Sequence, residues 1–188
     1  MASSTSSADD RLIIRSPLAR FDAQPVSAAF TLGRALRGVR VGVRQDATWR
    51  SWHIIAADWV ERLRADGAEP LLLQTGERTG REGDKTRREM AQWLEAIDCA
   101  VVGLGTCGSC TMWSVRDAIG VEATGKPVVT ALCEEFVSHG RTTASFLGHP
   151  DLKLLVLPYP LETRPDAELR EIAAAWYPQC LTLLGATA

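Results

Sequence analysis

No stretch of this 188-residue chain is apolar for the roughly 20 residues that a membrane-spanning helix needs. Neither sign of charge is in excess. Lys and Arg number 21 against 23 Asp and Glu, a net charge of −2, which excludes the basic footprint of a nucleic-acid or anionic-membrane binder. The segment Met1 to Asp10 lacks the basic and apolar regions of a secretory signal, so a cytoplasmic location is expected. A second Cys-x-x-Cys and any His-x-x-x-His are missing, which leaves a zinc site short of ligands. Cysteines number 5, an odd count that argues against a structural disulfide framework in a chain this long. No internal repeat is present, and the length suits one domain.

What is there alternates between two periodicities. Residues 1–37 are rich in Ser, Ala and Arg and read as a flexible or partner-binding arm, with the domain occupying 38–188. Val39 to Val43 alternates like a first strand. Trp52, Ile55, Ala56, Trp59, Val60 and Leu63 follow at helical spacing, with Gly67 as the stop. Glu69 to Thr75 is a second strand, Gly76 to Asp84 a charged loop, and Thr86 to Ile97 a helix with Met90, Trp93, Leu94 and Ile97 on one face. Cys99 to Gly105 is a third, fully apolar strand, and Thr111 to Gly125 a helix carrying Met112, Val115, Ile119 and Ala123. Pro127 to Leu132, a helix from Glu134 to Leu147, Leu152 to Leu157 and a last helix within Pro165 to Leu184 complete the chain. Strands alternating with helices predict an α/β fold, a three-layer α/β/α sandwich around a mainly parallel sheet of about five strands. Strand order is not readable from the pattern.

The chemistry concentrates at Cys107-Gly108-Ser109-Cys110, on the turn between the third strand and its helix. Ligands bind at that edge of an open α/β sheet. A helix N-terminus offers free N–H groups and partial positive charge, which favour a thiolate. Cys107 is the expected nucleophile and Cys110 the resolving thiol. Gly108 permits close approach to the backbone, while Ser109 and Thr111 cap the helix or bind an anion. Cys133, Glu134, Glu135 and Phe136 end the fourth strand on the same edge. Either glutamate serves as acid or base, or simply complements the helix dipole. Thr106, Trp113, Cys133, Phe136, Arg141, Tyr159 of Pro158-Tyr159-Pro160, Gln45 and Thr48 are candidate substrate contacts. His53, His139 and His149 are isolated and read as structural or surface residues. Arg78, Arg81 and Lys85 in the 76–86 loop read as a solvated loop or as a lid over an anion.

These blocks resemble one family. Gly103-Leu104-Gly105-Thr106-Cys107-Gly108-Ser109-Cys110-Thr111, then Pro127-Val128-Val129, Glu134-Glu135-Phe136 and Leu157-Pro158-Tyr159-Pro160-Leu161, are similar to the UGSC-motif family. That family is named for selenocysteine-Gly-Ser-Cys and has many members with Cys in the first position. A more distant pattern occurs in the substrate-specific selenoprotein subunit of glycine, sarcosine and betaine reductases. The resemblance spans roughly residues 38–162. It implies that Cys107 occupies the selenocysteine position and Cys110 that of its partner. In the reductases a selenolate takes an activated alkyl group that a second protein processes; here a thiol stands in its place.

The expectation is therefore a thiol-dependent enzyme, of oxidoreductase or lyase-like class, acting on a small activated substrate through Cys107 and Cys110. No cofactor is expected. A thiol reductant or second protein subunit and a homo- or hetero-oligomer are the expected partners. The alternatives are a non-catalytic, partner-dependent subunit and a metal protein using Cys107, Cys110 and Cys133.

Overall fold

A computed structural model describes residues 29–187. Its elements run β1 Arg40–Asp46, α1 Arg50–Ala65, β2 Glu69–Thr75, α2 Gly80–Ala96, β3 Cys99–Gly105, α3 Gly108–Glu122, β4 Val128–Cys133, a short 3-10 turn at Glu134–Phe136, α4 Val137–Phe146, β5 Leu154–Leu157 and α5 Asp166–Leu184. The strands form one five-stranded parallel sheet in the order β2-β1-β3-β4-β5. This is the expected α/β sandwich, now with its strand order. Among the described residues no helix is long and apolar enough to cross a membrane.

Alternation along the strands feeds two separate apolar layers. Cys99 and Val101 of β3, with Val129, Ala131 and Cys133 of β4, pack with Trp52, Ile55 and Trp59 of α1 and Leu169, Ile172 and Tyr177 of α5. Ala100, Val102, Val128 and Leu132 face the other way, toward Trp93 of α2, Val115, Ala118 and Val121 of α3, and Ala144 of α4. Two strand glycines make room for indoles. A Cβ on Gly103 would lie 2.5 Å from Trp52, and one on Gly42 would lie 2.4 Å from Trp93. Trp52 and Trp93 give their N–H groups to Arg44 O at 3.1 Å and Leu71 O at 2.8 Å, so each large ring is packed and satisfied.

The expected boundaries of β2 and β3 coincide with the observed ones. The others move, chiefly at α2, which begins at Gly80 rather than Thr86 and shortens the expected loop to residues 76–79. Gly80 and Gly83 are poor helix formers and disguise that start. Gly83 is needed there because a Cβ would meet the Arg78 carbonyl carbon at 2.5 Å. Arg81 and Lys85 consequently lie exposed on a helix, not in a loop. Helix α3 starts at Gly108 rather than Thr111, β1 continues to Asp46, and β5 starts at Leu154. Of the expected arm, residues 1–28 lie outside the described residues. Within 29–37, Leu32 and Gly33 donate their N–H groups to Leu184 O and Gly185 O, each at 2.9 Å, and Leu36 is buried.

Candidate active site at the switch point of the sheet

Strands β1 and β3 are neighbours, but their connections diverge: β1 leads through α1 to β2 on one side, and β3 through α3 to β4 on the other. A doubly wound sheet opens a crevice at the carboxyl ends of two strands where its direction reverses in this way. The register of β3 against β4 also shifts between Val102 and Gly105, just before the cysteines.

Cys107 is the N-cap of α3, in extended backbone (φ −149°, ψ 170°), and its Sγ accepts the Cys110 N–H at 3.2 Å. Ser109 Oγ lies 3.5 Å from the same sulfur. Thr111 is fully buried and gives both its N–H (3.0 Å) and its Oγ1 hydrogen (2.7 Å) to Cys107 O. It fastens the first turn of the helix. Cys107 and Cys110 are joined as a disulfide, with Cα atoms 5.2 Å apart. From across the switch point, Trp49 donates its indole N–H to Cys110 Sγ at 3.1 Å.

A cleft of about 660 Å³ opens beside the pair. Asp46 lines it from the end of β1, Thr48 from the turn that follows, Arg78 from the turn after β2, and Ser109, Cys110 and Trp113 from α3. Asp117 anchors two of the lining side chains, Arg44 and Arg78. It is 2.9 Å from Arg44 Nε and accepts from Arg78 at 2.7 and 3.1 Å. Arg44 is 1 % exposed and also gives Nη1–H to Gly103 O at 2.7 Å. Burial pushes its guanidinium below the ordinary value, and Asp117 opposes that shift. The Arg78 guanidinium carbon sits 5.0 Å over the Trp113 ring. Arg78 is thus fixed by Asp117, Thr75 and Trp113 rather than solvated in its loop. A second cleft, of about 550 Å³, opens on the other side of the first turn of α3, lined by Gly108, Ser109, Met112, His139, Phe146 and Leu147. His139 Nε2 lies 3.1 Å from Gly108 O.

The remaining sequence candidates divide. Thr48, Ser109 and Trp113 join Cys110 at the larger cleft, and Gly108 reaches the smaller one. Gln45 is buried and gives its amide to Gln74 Oε1 at 3.2 Å. Cys133 is buried, its thiol pushed up to about 11 by burial against a hydrogen bond with Thr106. Glu134 and Glu135 are exposed and line neither cleft; Glu134 Oε1 accepts the Tyr159 N–H at 3.3 Å. Phe136 and Tyr159 meet edge to face at 6.0 Å, and Arg141 gives Nη1–H to Leu152 O at 2.7 Å. Among the described residues no group of three His, Cys, Asp or Glu is placed to hold a metal ion, so the ligand set of the zinc alternative is not assembled.

Trp49, Arg44 and Asp117 were not singled out in the sequence. Trp49 becomes visible only once β1 is known to lie beside β3. An arginine directly after the apolar run Val41-Gly42-Val43 was the available signal for Arg44, since a buried guanidinium demands a carboxylate.

No curated protein matches the chain. Among solved structures it is similar to a flavo di-iron protein variant from Thermotoga maritima, at 12% identity and TM-score 0.44, covering 84% of this chain and 37% of that one. It is also similar to rubredoxin oxygen:oxidoreductase from Desulfovibrio gigas, at 13% identity and TM-score 0.41, covering 80% and 38%. The chain spans little more than a third of the length of these proteins. Residues 14–186 match the profile of the UGSC family. The match includes all five strands and the Cys107-Gly108-Ser109-Cys110 turn, and the chain belongs to the UGSC family.

Proposed function

We propose that the chain is a thiol–disulfide oxidoreductase whose working group is the Cys107–Cys110 pair. The observation that carries this reading is Cys107 at the N-cap of α3, its sulfur on the Cys110 N–H and bonded to Cys110, at the switch point of the sheet. A thiolate there is stabilised by a backbone donor and by the helix N-terminus. In the reduced protein, Cys107 S⁻ attacks one sulfur of a small disulfide R–S–S–R, forming Cys107–S–S–R and releasing RS⁻, which takes a proton. Cys110 S⁻ then attacks Cys107 Sγ, closing the disulfide and releasing the second RS⁻. Two electrons pass from the protein to the substrate, and an external thiol, small or carried by a second protein, returns them.

The test uses reduced full-length chain and an aromatic disulfide whose released thiolate absorbs visible light. Two equivalents of thiolate per chain, with closure of Cys107–Cys110 by peptide mass spectrometry, are expected. The Cys110→Ser chain should stop after one equivalent, with the probe held on Cys107. Reaction of Cys107 only after unfolding would overturn the reading and favour a partner-dependent subunit. A second polarity is favoured by one observation: Cys110, not Cys107, lines the 660 Å³ cleft. If substrate is attacked from there, the trapped adduct sits on Cys110 in the Cys107→Ser chain and forms faster than on Cys107 in Cys110→Ser.

A further inference from the structure

Most of the indoles in this chain satisfy their N–H groups on backbone carbonyls. Trp52, Trp59, Trp93 and Trp176 donate to Arg44 O, Ala173 O, Leu71 O and Val156 O. Trp49 differs. Its donor ends on Cys110 Sγ at 3.1 Å, and it arrives from another element, 61 residues away in the chain. Resting on the exchange reading above, we propose that Trp49 is a positioning residue for that reaction, the donor that holds Cys110 as a thiolate.

The turn that carries Trp49 fixes the direction of its ring. Asp46 Oδ1 accepts the Thr48 N–H at 2.8 Å, and Asp46 O lies 2.6 Å from His53 Nε2. Trp49 is the N-cap of α1, its carbonyl accepts the His53 N–H at 3.1 Å, and its ring packs on the core beneath α1. An indole N–H donates and cannot accept. A neutral disulfide sulfur is a weak acceptor, whereas a thiolate makes a charge-assisted bond roughly twice as strong. The contact therefore strengthens when the Cys107–Cys110 bond opens with the electron pair on Cys110, and it raises the thiolate fraction of Cys110 in the reduced protein. Each sulfur then has its own donor: the Cys110 backbone N–H for Cys107 and the Trp49 indole N–H for Cys110. In the closing step, Cys110 S⁻ attacks Cys107 Sγ, the Cys107–S–R bond breaks, and RS⁻ leaves with the bonding pair. More thiolate at neutral pH makes that step faster.

The experiment compares Trp49, Trp49→Phe and 3-benzothienylalanine at position 49, which keeps the fused ring and replaces N–H by sulfur. Apparent pKa values come from pH-dependent alkylation, read peptide by peptide. Cys110 is followed in the reduced Cys107→Ser chain and Cys107 in the reduced Cys110→Ser chain. The expected result is a rise of about one unit for Cys110, roughly a tenfold loss of thiolate at neutral pH, with Cys107 unmoved. In the two-cysteine chain, release of the second equivalent slows by about threefold, since the more basic thiolate is also the stronger nucleophile, while the first is unchanged. A Cys110 value indifferent to benzothienylalanine overturns the proposal, as do equal shifts at both cysteines, which would mark a structural role. Loss of exchange in the parent chain is a different result, and it overturns the function reading itself.

Discussion

Strand β3 has a cysteine at its amino end, Cys99, and another just past its carboxyl end, Cys107. The first is buried in the apolar layer under α1 and α5, close to Cys180, and burial pushes its thiol up to about 12. The second caps a helix, accepts a backbone N–H and is bonded to Cys110. The side chains are identical and flank one strand. The difference lies in what replaces water around the sulfur. Carbon contacts offer a thiolate nothing, whereas free N–H groups at a helix start offer it dipoles already pointing the right way. On the proposed reading, reactivity follows from the sheet edge rather than from the residue type.

Alkylation of the reduced chain at pH 8 tests that contrast most directly, and it carries the largest expected effect. A thiol with a pKa of about 12 is ionised to roughly one part in ten thousand at that pH, and one of about 11 to one part in a thousand. Cys99 and Cys133 should therefore react two to three orders of magnitude more slowly than Cys107. Cys180, also pushed up by burial, belongs with the slow group. Equal rates for Cys133 and Cys107 would break the comparison.

Next in size is the loss of Asp117, which holds two arginines that line the polar cleft. Asp117→Ala leaves Arg44 buried without its carboxylate and releases Arg78 from over Trp113. Removing one partner of a buried pair costs about 3–5 kcal/mol, measured by denaturant unfolding. A core change of similar size, Leu155→Ala, should cost about 2–5 kcal/mol while leaving exchange by the folded fraction unchanged, because Leu155 belongs to the apolar layer. If Leu155→Ala altered Cys107 chemistry in the folded protein, the separation of the two regions would fail.

Much of the contrast was legible in the sequence. The all-apolar run Cys99 to Gly105 identified a doubly covered strand, and the residues after it identified a strand-to-helix turn with two thiols. Glycine hid the start of α2, since Gly80 and Gly83 lower helix propensity while meeting a close approach to Arg78. Trp49 and Asp117 were hidden for another reason. Each acts through a residue far away in sequence, and their placement depends on the β2-β1-β3 order, which local pattern does not encode. Glu134 and Glu135 show the converse. They lie on the expected edge, in the 3-10 turn between β4 and α4, yet line neither cleft beside the cysteines.

The buried thiols also give stability a pH dependence. The folded state raises the pKa of Cys99 to about 12 and of Cys133 to about 11, above the ordinary value of about 8.5. Folded protein then holds these protons more tightly than the unfolded chain. Stability is at full strength below about pH 8.5 and falls as pH rises toward the folded values, by up to about 1.4 kcal/mol per unit for each thiol. Tyr177, pushed up by burial and by the Asp66 carboxylate that accepts its hydroxyl at 2.7 Å, steepens the fall further. Cys99→Ala should flatten the curve between pH 9 and 11, whereas Cys107→Ala should leave that slope alone.

The smallest effect separates burial from charge as the cause of Cys99's inertness. Asp98 precedes it, and its carboxylate is held below the ordinary range by hydrogen bonds from Arg40. That charge also raises the Cys99 thiol, but less than burial does. Asp98→Asn removes the charge and keeps the side-chain volume. The partly exposed pair is worth little, so the melting temperature should drop by a few degrees at most. Because the folded pKa of Asp98 is depressed, its contribution is present above the ordinary carboxylate range and disappears as pH falls through the folded value, so parent and Asp98→Asn melts should converge in acid. Cys99 in Asp98→Asn should still resist alkylation at pH 8. A Cys99 that became as reactive as Cys107 would mean that the neighbouring charge, not the apolar layer, had kept it silent.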